Sequence, residues 1–166
     1  LKVAYVSMRY PVRSETFATN DVAALVAQGA HVSTLALRAS AGEEQLLQER
    51  GLANVPLVKT AELVRAGWSN LLEAPGAWLQ ALMWAVRINL PRPEALVKTL
   101  WLFPAAVGAA RWSADNGCHV VHLRWGHYPA LVGALLRRWA PHVGVSLSLS
   151  AYDLEVNLPV TKHLAP

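Results

Sequence analysis

Short apolar runs and longer amphipathic stretches alternate along this chain. Residues 2–8 (KVAYVSM) are compact, β-branched and apolar on successive positions, which predicts a strand buried on both faces of a parallel sheet. Within 16–28, Ala18, Val22, Leu25 and Val26 recur at helical spacing and predict one buried helix face, with Gly29 as the natural stop. Residues 31–37 (HVSTLAL) read as a second strand, so the chain opens with a strand, helix, strand unit. Parallel pairing requires such a crossover.

The middle carries a short helix at 43–50, a third strand at 54–58, and a long helical stretch over 61–110. Pro75-Gly76 and Pro91-Arg92-Pro93 interrupt that stretch and predict three successive helices. Within it, Trp78, Leu82 and Val86 form one apolar stripe, with Gln80 and Arg87 outside it. The alternation then resumes with a strand at 119–123 (HVVHL) and a helix at 129–139, Pro129 suiting its first turn. That helix places Leu131, Ala134, Leu135 and Trp139 on one face. A last strand at 143–149 (VGVSLSL) precedes a loop around 151–157, and 158–166 leads towards another strand. Strands alternating with helices throughout predict an α/β fold, a Rossmann-like doubly wound parallel sheet, in one domain covering 1–166.

Composition narrows the class. With 54% hydrophobic and 16% charged residues and one cysteine, the chain is neither disordered nor collagen-like nor a disulfide framework. At 166 residues a single domain buries a sizeable core. The longest uncharged apolar run, 100–110, ends at Arg111 and contains Pro104 and Gly108, so it falls short of a membrane span. Fifteen basic against eleven acidic residues give a charge of +4, but the basic residues are scattered, and nucleic-acid binding is not implied. Cys118 has no partner, which reads as a buried thiol and fits a reducing, cytoplasmic compartment. No secretory signal pattern opens the chain, and a start at Leu1 without methionine points to a portion of a longer protein.

Ligands of open parallel sheets bind outside the carboxyl ends of the strands, which directs attention to three turns, 9–16, 122–127 and 150–157. None carries G-x-G-x-x-G or a phosphate-cradling P-loop, so dinucleotide binding of the usual kind is disfavoured. The first turn offers Arg9, Arg13, Ser14, Glu15 and Thr16 directly before a helix whose free N–H groups favour an anion. Ser14 is the expected N-cap; Ser14 and Glu15 serve either capping or a ligand. In the second, His122 either bonds a ligand hydroxyl or diphosphate or is satisfied by backbone, and Arg124 and His127, read as loop positions, suit a phosphate. His119 and His122 are three apart on a strand and point to opposite faces, so no metal site is expected. In the third, Asp153 is either a general base or a helix cap. Trp68, Trp78, Trp84, Trp101 and Trp112 crowd the helical middle beside Arg65, Arg87, Arg92 and Arg111, a mixture fit for a lipid headgroup boundary or simply for the core.

The run from Arg9 through Tyr10, Pro11, Ser14, Glu15 and Thr16 to Phe17 resembles the opening of group 1 (family 4) glycosyltransferases, which read Y-P-x-x-S-E-T-F. Residues 25–32 and Leu37-Arg38 are similar to the L-x-x-x-G-H-x-V and S-L-R that follow there, with Ala30 inserted between Gly29 and His31. Later, 121–126 (VHLRWG) is similar to that family's I-H-A-H-F-G, and 148–154 (SLSAYDL) stands where it has T-A-H-A-x-D-I. Arg124 replaces the second histidine of the former, and Ser150 replaces the histidine before Asp153, which in many relatives lies beside the reacting sugar. The resemblance implies the N-terminal half of a GT-B fold, truncated, which mainly holds the sugar acceptor. It further implies retention of configuration without a bound metal and no tightly held cofactor. A nucleotide-diphosphate sugar would be the co-substrate, held by a separate C-terminal donor-binding domain with its acidic E-x7-E motif. Asp153 and Ser150 would then occupy catalytic positions, Arg9, Arg13, Ser14, Glu15, Thr16, His122, Arg124 and His127 would face acceptor or phosphate, and the chain alone would be inactive. The alternative is a non-catalytic α/β module that binds a partner or a membrane surface through its Trp/Arg helices, as a peripheral protein on the cytoplasmic membrane face.

Overall fold

The computed structural model describes residues 1–126, 128–150, 153, 159–162 and 164. Five strands form one all-parallel sheet in the order β3-β2-β1-β4-β5. They are β1 (Lys2–Ser7), β2 (His31–Ala36), β3 (Leu57–Val58), β4 (Val120–Arg124) and β5 (Gly144–Ser148). The helices are α1 (Thr16–Ala27), α2 (Glu43–Glu49), α3 (Thr60–Glu73), α4 (Pro75–Asn89), α5 (Pro93–Asp115), α6 (Pro129–Trp139) and a final turn, α7 (Pro159–Lys162). This is the doubly wound arrangement that alternating strands and helices require, consistent with a Rossmann-like fold.

The strand period of two divides the core into two layers. Val3, Tyr5, Val32 and Ala36 face one side and pack with Ala18 and Val22 of α1 and Leu47 of α2. Ala4, Val6, Leu35, Val121 and Leu123 face the other and pack with α3 to α6 in a larger cluster. There α3 and α5 lie backbone to backbone. A Cβ built on Gly67 would stand 1.9 Å from the Pro104 carbonyl oxygen, and one on Gly108 would stand 1.8 Å from that of Leu63. Only glycine permits this approach. Trp78 of α4 closes the layer: its ring meets Phe103 edge-on at 5.0 Å, and its Nε1 donates to the Gly67 carbonyl at 3.0 Å.

Several expectations need correction. The third strand shrinks to two residues, because Val55 turns back to donate to the Leu52 carbonyl and Pro56 has no N–H to offer the sheet. On α1 the buried face is Ala18, Thr19 and Val22, while Val26 is 41% exposed. On α4 the buried stripe is Trp78, Ala81, Ala85 and Asn89; Leu82 and Val86 are half-buried beside it. The third helix runs on to Asp115, with Pro104 buried inside it. On α6 every residue from Pro129 to Leu136 is buried, so no single face was to be singled out. Residues 159–162, within the segment read as leading towards a further strand, form a helical turn. Cys118 is a buried free thiol, and burial pushes its pKa up. Among the described residues no helix is long and apolar enough to cross a membrane.

Candidate functional site

The carboxyl edge of the sheet brings the turns after β1 and β4 together. β1 ends at Ser7, whose hydroxyl donates to the Arg9 carbonyl at 3.0 Å and folds the chain back; the following Tyr10–Pro11 peptide is cis. β4 ends at Arg124, and Trp125 then takes a left-handed backbone with φ of 75°, a costly conformation for a bulky residue. Its N–H donates to the Ser148 carbonyl at 2.9 Å, tying the turn to the end of β5. Gly126 follows, with its carbonyl bonded by the Thr161 hydroxyl; a Cβ there would collide with Leu149 and Thr161. The turn after β4 is therefore fastened to the end of β5 and to α7.

Between the first two turns lies a cavity of about 230 Å³. Arg9 and Glu15 line it from the β1 side, Arg124 and Trp125 from the β4 side, and Met8 and Tyr128 complete its apolar wall. Arg124 is the pivot. Its Nη1 donates to the Ser148 hydroxyl at 3.0 Å and lies 3.5 Å from the Asp21 carboxylate. The guanidinium stacks on Phe17, 4.2 Å from the ring centre, while its Nε, like the Trp125 indole N–H, is buried with no hydrogen-bond partner among the described residues. Two polar N–H groups left unsatisfied beside one cavity are unusual. Burial pushes the Glu15 carboxyl up, and Arg124 partly opposes that shift.

Behind Arg124 the polar side chains continue along the sheet. Tyr5 Oη donates to Asp21 at 3.3 Å, His122 Nδ1 lies 3.1 Å from the Ser146 hydroxyl, and the rings of Tyr5 and His122 are 5.2 Å apart. Burial first, then the positive charge of Arg124, lowers the His122 pKa against the pull of Asp21. Burial likewise raises the Tyr5 and Tyr10 hydroxyls, and Asp21 adds to both.

The residues singled out from the sequence fall into distinct groups. Arg9, Glu15 and Arg124 meet at the cavity. Arg124 is the last residue of β4 rather than a loop residue, held in register opposite Ser148. Arg13 points elsewhere: its guanidinium is 76% exposed and pairs with Glu49 at 3.5 Å. With Arg9 it lines a neighbouring, more open cleft of about 500 Å³ reaching Ser40 and Gln45. Ser14 is exposed and is not the cap of α1; the N-cap position is Glu15, without a side-chain cap bond. Thr16 is exposed, its carbonyl accepting the Thr19 hydroxyl at 2.8 Å. His122 lies on the sheet face behind the cavity and does not line it. His119 is at the opposite end of β4, where its Nδ1 accepts the Lys2 N–H at 3.0 Å. His127 lies outside the described residues.

Ser150 and Asp153 bind each other. The Ser150 N–H and hydroxyl both donate to Asp153 Oδ2, at 2.7 and 3.0 Å, and the Asp153 N–H returns a bond to the Ser150 carbonyl. Both Ser150 donors therefore converge on one oxygen of Asp153, a residue 2% exposed. Residues 154–157, which Asp153 caps in one of its two readings, lie outside the described residues.

Sequence reasoning passed over Tyr5, Asp21, Ser146 and Ser148. The alternation in VHLR and VSLS carried a signal, since His122, Arg124, Ser146 and Ser148 share one face by the period of two. Trp125 had none, because its backbone strain is a tertiary property.

Neither a protein-family model, nor a curated protein, nor a solved structure matches the chain. The functional reading therefore rests on the geometry of this rim and on the residues that line it.

Proposed function

We propose that this domain holds the acceptor of a sugar transferase in the cavity between the turns after β1 and β4. The observation that carries this reading is the lining itself. Arg124 and Arg9 supply donors, Glu15 supplies an acceptor, and Trp125 and Tyr128 supply aromatic wall. Sugars are recognised by this pairing of flat apolar surface with a few polar groups in fixed positions. The motif resemblance of 9–17 and 121–126 favours the same class. In the complete enzyme a nucleotide-diphosphate sugar, held by a separate donor-binding domain, would be the co-substrate. Arg124 would orient an acceptor hydroxyl or phosphate, and Glu15, whose carboxyl burial pushes up against the opposing charge of Arg124, would accept a hydrogen bond from the acceptor.

The test is an NMR titration of the chain with a panel of monosaccharides, disaccharides and their phosphates. At least one of them should shift the resonances of Arg9, Glu15, Trp125 and Tyr128. Arg124→Ala should weaken that binding about tenfold, the worth of one charge-assisted hydrogen bond. Arg50→Ala, at a half-buried arginine whose Nη2 donates to the Arg13 carbonyl, should leave it unchanged. Silence across the whole panel, or equal effects of the two variants, would overturn the proposal.

A further inference from the structure

We infer that the site takes a chain of linked sugars, with one unit in the rim cavity and the next in the cleft between the turns after β1 and β2. The inference rests on the reading of the rim cavity as a sugar site and states how far the ligand reaches. The cavity encloses about 230 Å³, below the roughly 300–1,000 Å³ usual for ligand pockets. Alone it has room for a small ligand only. The cleft beside it encloses about 500 Å³, and Arg9 lines both. One side chain is thus shared by two spaces that follow each other along the carboxyl edge, over the neighbouring strands β2, β1 and β4.

The surroundings of the cavity set the direction. Towards β5 the space is filled: the Trp125 N–H is bonded to the Ser148 carbonyl, and Gly126 stands so close to Leu149 and Thr161 that even a Cβ would collide. Towards β2 it continues into the cleft. Arg9 is exposed there and makes no ion pair among the described residues, which leaves its donors for a ligand that passes it. The walls are fixed beforehand, because the Ser7 hydroxyl holds the Arg9 carbonyl at 3.0 Å and Glu43 accepts the Ser40 N–H across the cleft. A preformed groove spares the ligand the cost of ordering it.

The lining decides the class of ligand. Arg13, Ser40 and Gln45 present polar groups, interleaved with the apolar Pro11, Val12 and Leu46. An aliphatic chain would desolvate those polar groups without bonding them. A polyanion would meet repulsion as well as attraction, since Glu43 stands at one wall and Glu49 pairs with Arg13 at 3.5 Å and accepts from Gln45 at 3.0 Å. Uncharged, hydroxyl-rich units with apolar ring faces match the mixture, and they are the same chemistry as the unit next door.

The experiment is an NMR titration of the chain with glucose, galactose, mannose and N-acetylglucosamine and with their linear oligomers of two to four units. In at least one series the affinity should rise about tenfold or more from the single sugar to the oligomer of four, with the resonances of Arg13, Ala41 and Gln45 moving only for the oligomers. Ala39→Trp, at an exposed position on the cleft wall, should bring that ratio to about one. Arg13→Ala should lower it about fivefold, the worth of one hydrogen bond. Arg124→Ala should weaken single sugar and oligomer alike and so keep the ratio. Arg13→Ala, at a side chain 76% exposed, decides the matter if Ala39→Trp disturbs the fold. A ratio near one in every series, or a ratio that survives the cleft variants, would overturn the inference and leave the single-sugar site standing. Failure of every sugar, single or linked, would overturn that site and the inference with it.

Discussion

The two faces of the sheet differ in what covers them. On one, α3 to α6 press a nearly all-apolar layer against Val6, Leu35, Val121 and Leu123, so tightly that two helix backbones touch at Gly67 and Gly108. On the other, α1 and α2 cover β1 and β2, while His122, Arg124, Ser146 and Ser148 of β4 and β5 stay partly exposed and hydrogen-bond one another. Leu123 and Arg124 are consecutive residues of one strand pointing into these two environments. The difference teaches where chemistry is tolerated. A close-packed layer resists any change of volume, whereas the face lined by paired polar groups leaves a cavity of about 230 Å³ at its edge.

The largest effect expected is at the helix contact. Gly108→Val would drive its side chain into the Leu63 carbonyl and should cost about 3 kcal/mol or more, read as loss of cooperative thermal unfolding. A variant that melts like the parent would mean that the packed face is not tightly packed. Next comes the pair on β4. Leu123→Ala, at a fully buried position, should cost about 2–5 kcal/mol in denaturant unfolding. Arg124→Ala should cost about 1 kcal/mol or less, since its partner Asp21 is half exposed, while weakening binding of the proposed ligand about tenfold. Equal destabilisation by the two would erase the distinction between the faces.

Smaller still is Ser146→Ala, which removes the hydroxyl beside His122 and should shift stability by no more than about 0.5 kcal/mol. The finest probe is pH. The folded-state pKa of His122 lies below its ordinary value of 6.5, so between the two the folded protein binds fewer protons than the unfolded chain. Its contribution to stability is complete above about pH 6.5 and is lost as pH falls through the lowered value. Tm measured from pH 8 to pH 5 should therefore drop less in His122→Gln than in the parent. Identical slopes would show that His122 is as well hydrated as a surface histidine.

Much of the fold was legible because it is written locally. Residues 2–8, 16–28 and 31–37 each carry one unambiguous period, and β1, α1 and β2 follow them to within a residue or two. The shortened β3 was not legible, since an apolar run says nothing of whether its N–H groups will find a neighbouring strand. The stripe of α4 was read one position off. Alanines, not the larger Leu82 and Val86, fill the narrow space against α5, and side-chain size rather than period decided which way the helix turned. At the site, Arg9, Glu15 and Arg124 were visible as charges beside strand ends, but Arg13, Ser14 and Thr16 were equally visible and point elsewhere. Ser150 and Asp153 were visible as polar residues of the third turn, but their bonding to each other was not.

By itself the amino-acid order determined the alternation of strands and helices and the parallel pairing it compels, because periodicity and crossover geometry act over a few residues. Tertiary structure alone decided that Gly67 and Gly108 let two helices touch, that Trp125 is forced into a left-handed turn, and that Arg124 stacks on Phe17 within reach of Asp21. Each of these depends on which distant segment packs alongside, and no local pattern carries that information.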